Sequence, residues 1–240
     1  MNALIFAAGL GTRLGSISKN KPKALVKMAG KPMLLHAIEK LSAAGATNIV
    51  VNVHHHAEMI KDYIATLHFT GVDICISDES EELLETGGGL LFAKNLFIPN
   101  KAIILYNADI ITSANLAEMI AYHKQKKGIA TLMVKDRETS RYFLFNKDMK
   151  LSGWKNINTN EFIYTRKAES YESLAFSGVH IVDYSILNLL GDVRKFSITN
   201  GYLDLSKEHS IFAWKCLNNY WFDIGTPEKW EKANDFMKKQ

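Results

Sequence analysis

The sequence has only two cysteines and no apolar run long enough to cross a membrane. Cys75 and Cys216 both stand inside apolar segments, which is typical of small buried side chains and not of a disulfide or a metal site. The longest apolar stretches have the length of a strand, well short of the roughly 20 residues that a membrane helix needs. No basic stretch precedes the first apolar segment, as a signal peptide would require. We therefore expect a cytoplasmic protein with no membrane contact.

The sequence also lacks a strong excess of either charge. It has 29 lysines and arginines and 25 aspartates and glutamates, which gives a formal net charge of +4. Much of the excess lies in Lys124, Lys126 and Lys127 and in Lys238 and Lys239, at predicted helix ends where the helix dipole favours cations. This distribution predicts no nucleic-acid partner. It suits a protein that handles small anions.

The first 135 residues alternate short apolar runs with helical patterns. The predicted strands are "NALIFAA", "TNIVVNV", "VDICIS", "KAIILYNAD" and "IATLMVK". Segments such as "MLLHAIEKLSAAG" and "NLAEMIAYHKQKKG", with apolar residues three and four apart, separate them as helices. Strands that are apolar throughout predict a mostly parallel sheet covered on both faces, which is a Rossmann-like three-layer αβα sandwich of the α/β class. The carboxyl ends of such strands share one edge, where ligands bind.

The pattern changes after residue 135. "RYFLFNKDMKLSGWKN" alternates with period two around Asn146–Asp148 and predicts a hairpin, and "LAFSGVHIV", "IFAWKCL" and a closing helix follow. No linker or repeat separates the halves. We predict one continuous domain over residues 1–240, in which the second half completes the sheet and adds a small β-rich lid.

A glycine-rich turn follows the first strand, in "FAAGLGTRL". Glycine lets backbone fold tightly, so that N–H groups near Ala8, Gly9 and Gly11 can converge on an anion. The alternative is a tight turn without a ligand. No third glycine opens a helix, as in the dinucleotide fingerprint of the oxidoreductases, and no G-K-[ST] follows, as in a Walker A loop. Arg13 and Lys23 supply positive charge that a triphosphate needs, which favours the phosphate interpretation.

"GLGTRL" followed by "KPKAL", with ten residues from Arg13 to Lys23, resembles the signature of the nucleotidyltransferases that make nucleoside-diphosphate sugars. The family commonly has a proline soon after the arginine, where this chain has "GSIS". The resemblance covers nearly the whole chain and implies a GT-A-type version of the fold. It also implies that residues 1–135 form a nucleotide-binding half and residues 136–240 a sugar-binding half with the lid.

Two aspartates are candidate metal ligands. Asp109 follows the fourth predicted strand and Asp223 follows a short aromatic strand in "YWFDIGTP". Magnesium takes hard oxygen ligands and often only one or two protein carboxylates. Each aspartate could instead form a turn or cap a helix. The resemblance implies that Asp109 and Asp223 hold a catalytic Mg²⁺.

A second glycine cluster, Gly87–Gly89 in "ETGGG", stands where a helix begins. Glycine at the start of a helix lowers stability, so its presence there favours the close approach of a flat or anionic group to the backbone. Glu85 and Thr86 could instead form a helix N-terminal box. The cluster most resembles the branch that contains N-acetylmuramate-1-phosphate uridylyltransferase. The resemblance assigns nucleotide contacts to Ala8, Gly9, Gly11, Thr12, Arg13, Lys23, Asn52, Glu85, Thr86, Gly87, Gly88 and Asn107.

The resemblance places sugar-phosphate contacts in "DRETSRYFLF" and "YESLAFSGVHIV", with Arg141 and Gly178 as candidates. Arg141 could equally form a surface salt bridge. The implied partners are a nucleoside triphosphate and a sugar 1-phosphate, in a monomer or small homo-oligomer. Arg13 and Lys23 are the implied catalytic residues, because an in-line attack on the α-phosphorus by an anionic phosphate needs charge neutralisation and no general base.

The expected substrates are UTP and N-acetylmuramate 1-phosphate or a similar sugar, in cell-envelope nucleotide-sugar synthesis. GTP with a mannose- or heptose-type 1-phosphate is the second choice. A phosphocholine-type cytidylyltransferase shares the G-x-G-T-R opening and is a further alternative. A silent nucleotide-binding module is the alternative outside enzymes, although all four charged groups that the chemistry needs are present.

Overall fold

The computed structural model describes residues 1–9, 11–217 and 219–239, without the side chains of Thr12 and Ser16. The strands of this part of the chain are β1 (Asn2–Phe6), β2 (Lys27–Met28), β3 (Lys31–Pro32), β4 (Asn48–Val53), β5 (Asp73–Asp78), β6 (Ile103–Asn107), β7 (Ile110–Thr112), β8 (Ala130–Lys135), β9 (Arg141–Phe145), β10 (Leu151–Asn156), β11 (Glu161–Tyr164), β12 (Glu172–Val182), β13 (Ile211–Lys215) and β14 (Trp221–Asp223).

The helices lie between these strands. They are α1 (Met33–Ala43), α2 (Ala57–Ala65), α3 (Glu85–Phe92), α4 (Leu116–Lys126), α5 (Ile186–Leu189), α6 (Ile198–Leu205) and α7 (Pro227–Met237). Short 3₁₀ helices cover Thr12–Ser18, Lys23–Leu25 and Ala93–Leu96. None of the helices in the described residues is both long enough and apolar enough to cross a bilayer.

The central sheet joins ten strands of the described chain, in the order β11-β10-β9-β12-β6-β1-β4-β5, with β8 beside β12 and β13 beside β8. β6, β1, β4 and β5 run parallel, as the apolar runs predict. The long β12 pairs antiparallel with β6, β8 and β9. The hairpin predicted around Asn146 is formed by β9 and β10. The α/β class is confirmed, and the second half of the chain continues the sheet of the first.

Helices cover both faces of this sheet, because successive strand residues point to opposite sides. On one face, Ala3 and Ile5 of β1 belong to a buried cluster that includes α1, α2 and α4. On the other face, Leu4 belongs to a cluster that includes α3, α5 and α6. The result is the three-layer arrangement that the sequence predicts.

A third, smaller cluster joins the two ends of the chain. Leu14 and Val26 flank the glycine-rich turn and pack with Ile224 and Ala233 near the C-terminus. Antiparallel pairing of β14 with β7 extends this junction, and Asp223 stands opposite Ile110 in that ladder. The turn, the end of β6 and the late aspartate are therefore held side by side.

Candidate active site

The glycine-rich turn is held by Asn52 at the end of the neighbouring strand. Phe6 and Asn52 are paired in register across β1 and β4. The Asn52 side-chain oxygen accepts from the Ala7 backbone N–H at 2.7 Å and from the Ala8 N–H at 3.3 Å. β1 therefore ends at Phe6, two residues before the apolar run ends, because these amides bond to a side chain.

Glu79, one residue beyond β5, holds Asn52 in turn. Its Oε1 accepts from Asn52 Nδ2 at 2.8 Å, and its Oε2 accepts from the Leu84 backbone N–H at 3.3 Å. The residue is 2% exposed. Burial raises the pKa of the Glu79 carboxyl, and the bonds from Asn52 and Leu84 oppose the shift. This chain of bonds runs from a buried carboxylate to the backbone of the glycine-rich turn.

The turn itself needs glycine at position 11. Gly11 has a φ of +67°, in the left-handed region, and a Cβ placed there would lie 3.3 Å from Lys23 Cβ. Ser18 Oγ donates to the Gly11 carbonyl at 3.0 Å. The turn thus packs directly against the segment that carries Lys23.

Lys23 and the two candidate metal ligands form one charged centre. Lys23 Nζ lies 2.5 Å from Asp109 Oδ2, and its charge also lowers the pKa of Asp223. The Ile224 N–H donates to the Asp109 carbonyl at 3.0 Å, so the two aspartates follow adjacent backbone segments. Gly225 completes the junction: a Cβ built there would lie 2.7 Å from Asp223 Oδ1 and 3.8 Å from Arg13 Nη2. The four charged groups named from the sequence are therefore neighbours.

Asp223 is half buried and forms an ion pair with a second lysine. Lys229 Nζ, on α7, lies 2.6 Å from Asp223 Oδ2, and the Gly225 N–H donates to Oδ1 at 3.0 Å. Burial alone would raise the pKa of Asp223. The bonds from Lys229 and Gly225, together with the charges of Lys229 and Lys23, outweigh that effect and lower it.

The donor set at this centre fits a divalent cation. Asp109 and Asp223 offer hard carboxylate oxygens. Each already forms an ion pair with the ammonium group of a lysine, at 2.5 and 2.6 Å. Within residues 1–9, 11–217 and 219–239, no three His, Cys, Asp or Glu side chains are grouped closely enough to form a metal cage. A cation bound by the two aspartates would therefore take further ligands from a phosphate or from water.

A cleft of about 530 Å³ opens at the carboxyl ends of the parallel strands. Most of the predicted nucleotide-binding positions line it, and they are Ala8, Gly9, Gly11, Arg13, Lys23, Asn52, Glu85, Thr86 and Asn107. Asp109 also lines it, and Asp223 is adjacent through Gly225. The side chain of Thr12 lies outside the described residues.

Gly87 and Gly88 do not line the cleft, and another part of the chain approaches them. A Cβ at Gly87 would lie 2.4 Å from the Phe196 ring, and one at Gly88 would lie 2.3 Å from the Arg194 carbonyl oxygen. Both amides donate to the Phe196 carbonyl, at 2.9 and 3.3 Å. These glycines allow the segment before α6 to dock on α3. The direct nucleotide contact that the sequence suggested for these two glycines stays a prediction.

The two sugar-side candidates occupy different environments. Gly178, with a φ of +75°, lies at an irregularity in β12, and a Cβ there would lie 2.7 Å from Ile110 Cγ1 and 3.1 Å from Asn107 Nδ2. Gly178 therefore packs directly against the end of β6 and the start of β7. Arg141 begins β9, is exposed and is not among the cleft-lining residues.

The structure adds residues that the sequence interpretation did not name. Glu79 and Ser197 line the cleft. Glu79 could have been identified, because it follows directly after a parallel strand at the ligand edge. Ser197 could not, because its segment reaches the cleft only by docking on α3. Arg137 and Lys229 lie near Asp223.

Comparison with known proteins identifies relatives of the whole described chain. The family model for nucleotidyl transferases matches residues 2–240. Mannose-1-phosphate guanyltransferase 2 of Candida glabrata is 31% identical over 231 residues, which cover 95% of this chain and 62% of the relative. The catalytic subunit beta of mannose-1-phosphate guanylyltransferase from Dictyostelium discoideum is 29% identical over 231 residues, with the same coverage. The chain thus spans about 62% of the length of these curated relatives.

Solved structures share the fold. HddC from Yersinia pseudotuberculosis, complexed with GMP-PN, is 24% identical with a TM-score of 0.76 and covers 99% of both chains. A UDP-glucose pyrophosphorylase from Acinetobacter baumanii is 18% identical with a TM-score of 0.80 and covers 97% of this chain and 91% of its own. The branch expected from "ETGGG" is corrected, since the curated relatives named above are guanylyltransferases and not N-acetylmuramate-1-phosphate uridylyltransferases.

Proposed function

The chain belongs to the nucleotidyl transferase family, and from that premise we propose that it joins GTP and a mannose-type sugar 1-phosphate. The products are a guanosine-diphosphate sugar and pyrophosphate. A phosphate oxygen of the sugar 1-phosphate attacks the α-phosphorus of GTP, and the bond from that phosphorus to the bridging oxygen of the β-phosphate breaks. The attacking oxygen is already anionic, so no proton has to be removed.

The observation that carries this proposal is the charged centre at the cleft. Lys23 and Asp109 are in contact there at 2.5 Å, with Arg13 and Asp223 beside them. Arg13 and Lys23 would neutralise the charge that develops on the triphosphate, and the backbone amides after β1 would hold its oxygens. The bond from Asn52 to Ala7 and Ala8 would fix those amides before substrate arrives.

Asp109 and Asp223 would hold Mg²⁺. The family uses a divalent metal, and the hard oxygen donors here suit magnesium. When bound, such an ion draws charge from phosphate oxygens and orients the triphosphate. Lys23 would then move from Asp109 to a phosphate, because both are anions within reach of the same flexible side chain.

Glu79 supports the choice of guanine. An ionised carboxylate only accepts hydrogen bonds. Guanine presents N1–H and N2–H donors side by side, whereas uracil presents one N–H between two carbonyl oxygens that a carboxylate would repel. Glu79 lines the cleft and each of its oxygens has one recorded donor, which leaves further acceptor capacity. The guanylyl activity named for the curated relatives points to the same base.

The test is pyrophosphate release over a panel of triphosphates and acceptors. GTP with mannose 1-phosphate should give the highest kcat/KM, above UTP with N-acetylmuramate 1-phosphate and above CTP with phosphocholine. Asp109→Asn and Arg13→Ala should each lower kcat by roughly 10²–10³, the usual effect of removing one such charged contact. Asp148→Asn, at the exposed hairpin turn, is the matched control and should keep the parent rate.

Three results would contradict the proposal. The first is no pyrophosphate release with any sugar 1-phosphate, and the second is a preference for CTP with phosphocholine. The third is a parent-like rate in Asp109→Asn. Glu79→Gln tests the base separately, since it should lower the preference for GTP over UTP by about tenfold or more.

A further inference from the structure

Arg137 has an unusual environment for a cation. It follows β8, and its guanidinium carbon lies 4.4 Å from the centroid of the Trp221 ring. Its Nη2 donates to the Phe176 carbonyl at 2.8 Å, and its Nη1 donates to the Glu138 carbonyl at 3.4 Å. These contacts hold the guanidinium within the roughly 6 Å of the ring centroid at which a cation is attracted to a tryptophan face.

The charge of Arg137 has no carboxylate partner among the residues that the structure describes. The ion pairs recorded there all use lysines. Two of the five guanidinium N–H groups have backbone acceptors, and Nε is buried without one. Burial lowers the pKa of Arg137. A half-buried cation without a carboxylate in direct contact costs free energy, and groups with shifted pKa values occur preferentially at functional sites.

Arg137 lies on the face of β14 that carries Asp223, because it stacks on Trp221 and side chains two residues apart in a strand point to the same side. The Asp223 charge and Tyr142 both favour the charged form of Arg137. Tyr142 is paired in register with Lys155, whose Nζ lies 5.2 Å from the tyrosine ring centroid. Arg137 and Lys155 are therefore both neighbours of Tyr142.

We infer that Arg137 binds the phosphate of the sugar 1-phosphate, which rests on the proposed function. The triphosphate would lie against Gly11, Arg13 and Lys23 in the cleft, and the attacking phosphate must approach the α-phosphorus from the opposite side. Arg137 shares the Asp223 face of β14, and the fork of its N–H groups matches two phosphate oxygens. Arg141, the exposed arginine four residues later, lacks this packing.

A purely structural role is the alternative, because the bond to Phe176 ties the segment after β8 to β12. The two roles differ in their kinetics. Loss of a phosphate contact weakens binding of one substrate, whereas loosened packing lowers stability and affects both substrates. The experiment therefore measures KM for GTP, KM for mannose 1-phosphate and Tm in Arg137→Met, Arg137→Lys and Lys147→Met. Lys147 is the control because it is an exposed cation at the turn of the β9–β10 hairpin, which follows Arg137 in the chain.

We expect Arg137→Met to raise KM for mannose 1-phosphate at least tenfold while KM for GTP stays within twofold. Arg137→Lys should recover part of the loss, and Lys147→Met should match the parent. Calorimetric titration of Arg137→Met with mannose 1-phosphate should show the same loss of affinity. Equal changes in both KM values, or unchanged values, would overturn the inference while leaving the proposed function in place. A parent protein inactive with every sugar 1-phosphate would overturn both.

Discussion

Asn52 offers the sharpest test of how the cleft is built. The substitution Asn52→Ala removes the acceptor for the buried amides of Ala7 and Ala8 and the donor to Glu79. Each buried group left without a partner costs about 1–3 kcal/mol. Because the cleft admits water on this side, we take the lower end of that range for each group, which sums to roughly 3 kcal/mol.

At about 2–4 °C per kcal/mol for a chain of this size, Tm should fall by roughly 6–12 °C. The KM for GTP should rise as well, because the backbone after β1 loses its fixed position. Asn48→Ala is the matched control. Asn48 lies at the other end of β4 and donates to Asn2 and Leu96, at 3.0 and 2.9 Å. It should lower Tm by a similar amount and leave KM for GTP unchanged.

A second substitution at this position tests how the stability of the fold depends on pH. Asn52→Asp keeps an acceptor for the two amides but sets a carboxylate against Glu79. The folded state then holds a proton more tightly than the unfolded chain, so stability falls as pH rises above the ordinary glutamate pKa of 4.5. Thermal unfolding at pH 5 and pH 8 measures this slope. Two results would refute the role given to the Asn52 hydrogen bonds. One is a Tm of Asn52→Ala within 2 °C of the parent, and the other is a parent-like pH dependence of Tm in Asn52→Asp.

Three further outcomes are expected. Gly178→Ala should lower Tm by several degrees, because it combines a positive φ with a steric clash; thermal unfolding with an unchanged Tm would contradict this. Lys229→Met should tighten Mn²⁺ binding several-fold in substrate-free protein, measured by electron paramagnetic resonance, because the ion no longer competes with an ammonium for Asp223. Lys232→Met, on the same helix, should match the parent, and equal affinities in the two variants would exclude competition. Since burial raises the pKa of Glu79, the ionised carboxylate destabilises the fold above pH 4.5, so Glu79→Gln should flatten the fall in Tm between pH 5 and pH 8; an unchanged fall would contradict it.

The parallel part of the sheet was predictable because its signals are local. Each of β1, β4, β5 and β6 is a short apolar run bounded by a helix or turn, and parallel pairing of such runs forces their carboxyl ends to one edge. The position of β12 between β6 and β9 was not predictable. Its pairing with β6 joins residues 73 to 79 positions apart along the chain, which no local pattern encodes.

In the candidate site, too, some residues could be predicted from the sequence and some contacts could not. Gly11, Arg13 and Lys23 could be named because one short motif contains them all, and Asp109 because it follows a strand. The contacts of Gly87 and Gly88 could not be inferred, since a glycine shows only that something approaches closely. In this fold it is the ring of Phe196 and the backbone of Arg194 that do so. Glycine-rich sequence thus predicts close approach but not the approaching partner.

The charged centre depends on the pairing of two short strands outside the main sheet. β7 continues from the turn that carries Asp109, and β14 brings Asp223 opposite Ile110. Leu14 and Ile224 bury the contact between this pair and the segment of Arg13. Because an apolar cluster holds the two ends of the chain together, four charges from distant positions meet without needing attraction between them. A divalent cation held by Asp109 and Asp223, as proposed, would bind to a pair whose position the apolar cluster has already set.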